Sequence, residues 1–265
     1  CSLWILINVV LQSNLIFWIL IVFGICMSLL LVAYWENNTP EYKAMSLLEK
    51  YSEDEIDHFS YFAFQYGAVM RWSQDIRLNV SRDETISDEV LKYMHNCVNQ
   101  INELTELITI KLVDSNHNVC LTFVDSLIPG KKGFTRRYFD EDVRLPWSID
   151  SAVLVISTVE NDHLNSTIYH EFGHLLGFNH NQDLNRESGW TYKSLFNQSS
   201  TTYVDSLWDF VPDFTEFSDL DKAAIRIMYD KDVGIDPGLT KEKFFRMIEK
   251  AKKEMDYGNS DAGGE

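Results

Sequence analysis

The chain has 265 residues, 45% of them hydrophobic and 13% aromatic, enough to bury the core of one domain of ordinary to large size. Forty Asp and Glu against 23 Lys and Arg set the formal charge at -17, which repels nucleic acid and anionic membrane surfaces and argues against a nucleic-acid partner. All of that charge lies after Trp35, because residues 1–35 contain no Asp, Glu, Lys or Arg.

Within this first segment Leu15 to Tyr34 is a mostly apolar run of 20 residues, long enough as a helix to cross the roughly 30 Å core of a bilayer. It reads as a transmembrane anchor. The alternative is a signal peptide, for which the run is long and Leu31-Val32-Ala33 is a weak cleavage site. Residues 36–50 are polar with a single Pro and read as a juxtamembrane spacer.

Ser52 followed by Glu55 is a capping-box signature, and Ile56, Phe59, Ala63 and Tyr66 then recur at helical spacing, which predicts a helix to about Gly67. Trp72 to Val80 alternates apolar and polar residues through Ile76, Leu78 and Val80, the period of a half-buried strand. Ser87 to Leu107 carries Val90, Leu91, Met94, Val98, Ile101 and Leu104 on one helical face and is long enough to back a sheet. Strands follow at Ile108–Val113 and Val119–Val124.

Gly130 to Asp142 (GKKGFTRRYFDED) is a basic patch followed by an acidic run and reads as an exposed loop; a role in seizing an acidic substrate is the functional alternative. Ser151 to Ser157 (SAVLVIS) reads as a buried strand. Ser218 to Tyr229 and residues 240–256 have the apolar faces of helices, and the last residues have the composition of a disordered tail. Asp230 to Asp236 (DKDVGID) reads as a solvated loop, since Lys241 stands where a calcium-binding helix-loop-helix needs Glu.

Of four cysteines only Cys97 and Cys120 lie outside the apolar segment, and they form a candidate disulfide if the domain faces an oxidising compartment. Sequons at Asn37, Asn79, Asn165 and Asn197 point the same way. No cysteine lies between Trp35 and Arg71.

The chemistry is concentrated in His170 to His180, HEFGHLLGFNH. His170 and His174 stand four residues apart, so on a helix both imidazoles project from one face and can share one zinc ion. Gly177 lets the helix stop and the chain turn, which returns His180 as a third ligand. Three imidazoles leave the fourth tetrahedral corner open, as a catalytic zinc site requires. Glu171, beside the first ligand, is placed to act as general base toward the water that zinc activates. Glu187 is a rival third ligand, set in a turn-like NRESG context. His58, His95, His117 and His163 have no partner at ligand spacing.

These residues resemble the HExxHxxGxxH motif of the metzincin metallopeptidases at every fixed position. The order of strands and helices before the motif is also similar to that family's upper subdomain. The layout is closest to matrixin-like members, which end with a helix comparable to Ser218–Tyr229. The resemblance implies an α+β zincin-like fold: a mixed twisted sheet, a backing helix and the active-site helix, here preceded by the transmembrane segment. It implies peptide-bond hydrolysis, with peptide or protein substrates and Zn2+ as cofactor.

It also implies that the strand before the active-site helix borders the cleft and pairs with an extended peptide, a role that falls on Val153, Leu154, Val155 and Ile156. The family's turn methionine beneath the imidazoles has no match soon after His180. Phe196, in Ser194-Leu195-Phe196, is the expected equivalent, with Met228 as the competitor on the last helix.

The chain is thus expected to comprise an anchor or uncleaved signal segment (1–35), a spacer (36–50), a metzincin-like catalytic domain (51–239), and an amphipathic helix with a tail (240–265). The catalytic domain is expected to face away from the cytoplasm on a membrane, or to be secreted if the first segment is removed. The competing reading is a catalytically inactive, membrane-tethered zinc-binding interaction module. Glu171 counts against it, since binding zinc needs only the histidines.

Overall fold

The computed structural model describes residues 21–29, 39–64, 66–81, 86–127, 131–139, 147–158, 163–180 and 216–261. Two helices open the folded part, α1 (Pro40–Lys50) and α2 (Glu53–Ala63). The Thr39 hydroxyl accepts from the Tyr42 amide and Pro40 occupies the first turn, so α1 starts where a lost N–H costs nothing. It replaces the expected spacer and packs on the last helix, α6 (Lys241–Asp261), burying Ala44 and Leu47. The expected capping box of α2 is present, with Ser52 N donating to Glu55 Oε2 at 2.8 Å.

Six strands form one sheet: β1 (Arg71–Trp72), β2 (Ile76–Ser81), β3 (Ile110–Leu112), β4 (Val119–Val124), β5 (Gly133–Phe139) and β6 (Ser148–Ser157). Five are parallel to their neighbours; β5 alone runs antiparallel, along β6. The expected strand Trp72–Val80 is therefore two short ones, broken at Ser73–Asp75. The expected loop Gly130–Asp142 contains a strand, β5.

That strand also changes where the sheet ends. Val153 to Ile156 pair with Cys120–Phe123 on one side and with Arg136–Gly133 on the other, so their backbone is enclosed and they are not the edge expected of them. The edge beside the helix that carries His170 and His174 is β5.

One face of the sheet is apolar, through Ile76, Leu78, Val119, Leu121, Phe123, Leu154 and Ile156. Against it pack α3 (Asp88–Leu104) and α4 (Leu164–Leu176), with α5 (Asp219–Tyr229) packed on α2 and α3, and all of these contribute to one core cluster. Met94, Cys97 and Ile101 of α3 are buried there. Burial of each such aliphatic side chain contributes about 1.5–3 kcal/mol. Between α2 and α5 the buried His58 Nε2 lies 3.0 Å from Asp221 Oδ1.

Cys97 and Cys120 are both free. Side chains alternate across a strand, so Cys120, between the buried Val119 and Leu121, projects from the opposite face of the sheet, while Cys97 is in the core beneath α3. No disulfide can span that separation. The Asn165 sequon is buried, and the Asn79 amide nitrogen donates to the carbonyls of Val113 and Asp114, so neither nitrogen is available to a glycan. Asn37 and Asn197 lie outside the described residues.

Asp230 is no solvated loop residue. It is buried after α5 and accepts from the amides of Asp232 and Val233, from Lys50 Nζ and from the Tyr51 hydroxyl. Burial alone would raise its pKa, but these donors together hold it below the ordinary carboxylate value.

Of the apolar first segment, residues 21–29 are helical, with Val22, Phe23, Ile25, Met27 and Leu29 exposed. Among the described residues no helix is long and apolar enough to cross a membrane.

Candidate metal centre

Helix α4 is almost wholly buried, which is why its sequence, LNSTIYHEFGHLL, lacks the polar face of a surface helix. It begins at His163 with no side-chain cap and ends at Gly177, whose φ of 113° lies in the left-handed region that a β-carbon disfavours. Its last carbonyls, which have no partner within the helix, are satisfied from two other elements. Trp72 Nε1 of β1 donates to Leu175 O at 2.7 Å, and the Tyr229 hydroxyl of α5 donates to Leu176 O at 2.7 Å. The Tyr229 oxygen in turn accepts from Trp72 N at 3.3 Å. These bonds fix the end of the helix from which the chain turns back.

The turn does what the spacing predicts. His170 and His174 project from one face of α4, and His180 returns so that His174 Nε2 lies 3.0 Å from His170 Nε2 and 3.0 Å from His180 Nε2. One ligand atom from each of the three histidines lies within 4.8 Å of the others, and among the described residues they are the one such cluster. His174 Nδ1 stands 2.9 Å from Phe178 O; donation there leaves the Nε2 lone pair directed into the cluster. Burial, then the neighbouring His170 and His180, holds the His174 pKa well below the usual imidazole value, so the ring is neutral. Three imidazoles converging on one point fit a zinc ion.

The loop that carries His180 is pinned on both sides. Asn179 N donates to Phe62 O at 3.1 Å, its Nδ2 donates to Gly177 O at 3.1 Å, and Arg137 Nη2 of β5 donates to its Oδ1. Arg137 is largely enclosed, and burial pulls its pKa down to about 10. Its Nη1 has no hydrogen-bond partner among the described residues.

Glu171 is buried against β5, where Thr135 Oγ1 donates to Glu171 Oε2 at 2.6 Å and to Glu171 O at 3.1 Å. Burial pushes the Glu171 pKa up to about 7, opposed by the Thr135 hydrogen bond and the charge of Lys131. A carboxyl poised near neutrality can both take and return a proton.

His170, His174 and His180 are thus brought together as expected, while Glu171, the neighbour of His170 in the chain, has its carboxylate against Thr135 and Gly133 of β5. Val153 to Ile156 are behind the edge strand. Phe196 and Glu187 lie outside the described residues, and Met228 is in the core on α5. His95 and His117 are exposed. Thr135, Gly133, Arg137, Trp72 and Tyr229 had no signal at ligand or catalytic spacing; only the fold shows what they touch.

No protein-family model matches the chain, and no curated protein matches it. Among solved structures, myroilysin is similar with a TM-score of 0.42 and 14% identity, covering 61% of this chain and 83% of its own. High choriolytic enzyme 1, a hatching enzyme zinc-protease from the medaka fish Oryzias latipes, is similar with a TM-score of 0.37 and 13% identity, covering 60% of this chain and 94% of its own.

Proposed function

We propose that the chain is a zinc-dependent endopeptidase, with His170, His174 and His180 as metal ligands and Glu171 as general base. The observation that carries this reading is the convergence of three imidazoles from HEFGHLLGFNH, a segment in which Glu171, the sequence neighbour of His170, is buried.

Zinc, when bound, supplies a Lewis acid that acidifies water and polarises the scissile carbonyl. Glu171 takes the proton of the attacking water and afterwards delivers it to the departing amine, two steps open to one carboxyl whose pKa lies near 7. Among the described residues β5 pairs only with β6, which supports an extended peptide pairing with its other edge, next to Glu171.

The charge-free first 35 residues support a membrane anchor, as does the helical 21–29 with its exposed apolar side chains. On this reading the catalytic domain stands on the extracytoplasmic side, or is secreted where the segment is cleaved. A binding module that held zinc without hydrolysis would have no use for a buried, hydrogen-bonded Glu171.

The test is a peptide-library digest by the zinc-loaded full chain, with cut sites mapped by mass spectrometry. Internal cleavage that stops when a chelator removes zinc is the expected result. A chain that holds stoichiometric zinc and leaves every peptide intact would be the binding module.

A further inference from the structure

The inner row of β5 is built around the Glu171 carboxylate. Gly133, Thr135 and Arg137 alternate with the exposed Phe134, Arg136 and Tyr138, so the three share the face turned toward α4. Gly133 leaves a slot: a β-carbon built there would stand 2.7 Å from Glu171 Oε1 and 2.8 Å from Glu171 Cγ. The φ of Gly133 is not in the left-handed region, so the demand for glycine is one of space. Two residues on, the Thr135 hydroxyl closes on Glu171 Oε2 at 2.6 Å. Among the described residues no hydrogen bond reaches Oε1. The strand therefore hydrogen-bonds one carboxylate oxygen and makes room for the other beside Gly133.

We propose that Thr135 is the positioning residue of the general base: its hydroxyl holds Glu171 Oε2 against the edge strand, and Gly133 provides the room. The inference rests on the reading of Glu171 as base. A free glutamate side chain has three rotatable bonds, and a carboxylate that must meet a water proton in one orientation gains rate when those bonds are fixed in advance. On this account the peptide meets the backbone of β5, and the Thr135 hydroxyl is turned to Glu171 instead. It acts through Glu171, so its loss should lower turnover without weakening peptide binding.

The experiment compares the zinc-loaded parent with Thr135→Val, which keeps the shape and removes the hydroxyl, and Thr135→Ser, which keeps the hydroxyl. Thr135→Val should lower kcat about 10- to 100-fold with KM unchanged, and Thr135→Ser should recover most of that loss. In a Glu171→Gln background Thr135→Val should have no further effect on the residual rate. Equal kcat in parent and Thr135→Val would overturn the proposal, as would a loss that Thr135→Ser does not restore.

A readout that needs no turnover separates this from the peptidase reading. The infrared carboxylate band of Glu171, assigned by difference against Glu171→Gln, should shift in Thr135→Val and return in Thr135→Ser. An inactive parent with that shift would remove the peptidase reading and keep the contact between Thr135 and Glu171. An unmoved band would overturn the proposal, whatever the parent's activity.

Discussion

A β-carbon placed on Gly177 would stand 1.9 Å from the carbonyl oxygen of Met70, inside any tolerable contact. The chain leaves α4 here at φ 113°, pressed against the segment that leads into β1. Both demands act at the residue that turns His180 toward the other two imidazoles. Gly177→Ala should therefore cost about 3 kcal/mol of stability or more, since strain and a backbone clash add. It should also weaken zinc binding. Denaturant unfolding and zinc titration check this, and a variant with parental values in both would show that the turn can open elsewhere.

Tyr229 joins two elements at the end of the active-site helix, donating to Leu176 O and accepting from Trp72 N. Tyr229→Phe keeps the ring in its buried place and leaves Leu176 O without that donor. A loss of about 1–3 kcal/mol in unfolding free energy is expected. Addition of zinc should restore part of it by binding only the folded state.

Asp230 gives stability a pH dependence. Its folded pKa is depressed, so in the window between that value and the ordinary carboxylate pKa the unfolded chain binds more protons than the folded one. The contribution is present above the unfolded pKa and disappears as pH falls through the folded one. Asp230→Asn should lower stability by about 1–2 kcal/mol at neutral pH and flatten the acid limb of the stability profile. An unchanged acid limb would place the proton uptake on other carboxylates.

The two thiols should behave differently. Cys97 is fully buried, and burial raises its pKa well above the usual thiol value, whereas Cys120 is partly exposed on the other face of the sheet. An alkylating reagent should label Cys120 in the native chain and reach Cys97 only on unfolding. A peptide map that joins the Cys97 and Cys120 peptides under non-reducing conditions would instead demonstrate the disulfide against which the fold argues.

The metal cluster was legible because ligand spacing on a helix is a local property: four residues from His170 to His174, then a glycine, then His180. The helices other than α1 were legible by their periodicity for the same reason. β5 was not, because its pattern is inverted. Its inner residues, Thr135 and Arg137, are polar since they face the site, while Phe134 and Tyr138 point outward, so GFTRRYF reads as neither a buried strand nor an amphipathic one. Missing β5 then made Val153–Ile156 look like an edge.

The α1 helix did carry a local signal, a Thr39 cap followed by Pro40, within a stretch whose polarity suggested a linker. The contacts of Thr135 and Gly133 with Glu171 join residues 36 and 38 positions apart and follow only from the sheet register.

The most direct measurement of the central claim is zinc content and peptide turnover in the same preparations of parent, Glu171→Gln and His180→Ala. The amide of Glu171→Gln preserves shape but cannot take a proton, so zinc should remain stoichiometric while hydrolysis falls by about 10²- to 10⁴-fold. His180→Ala should lose zinc affinity together with activity. Full turnover in Glu171→Gln, or undiminished zinc affinity in His180→Ala, would contradict the assignment of the general base or of the third ligand.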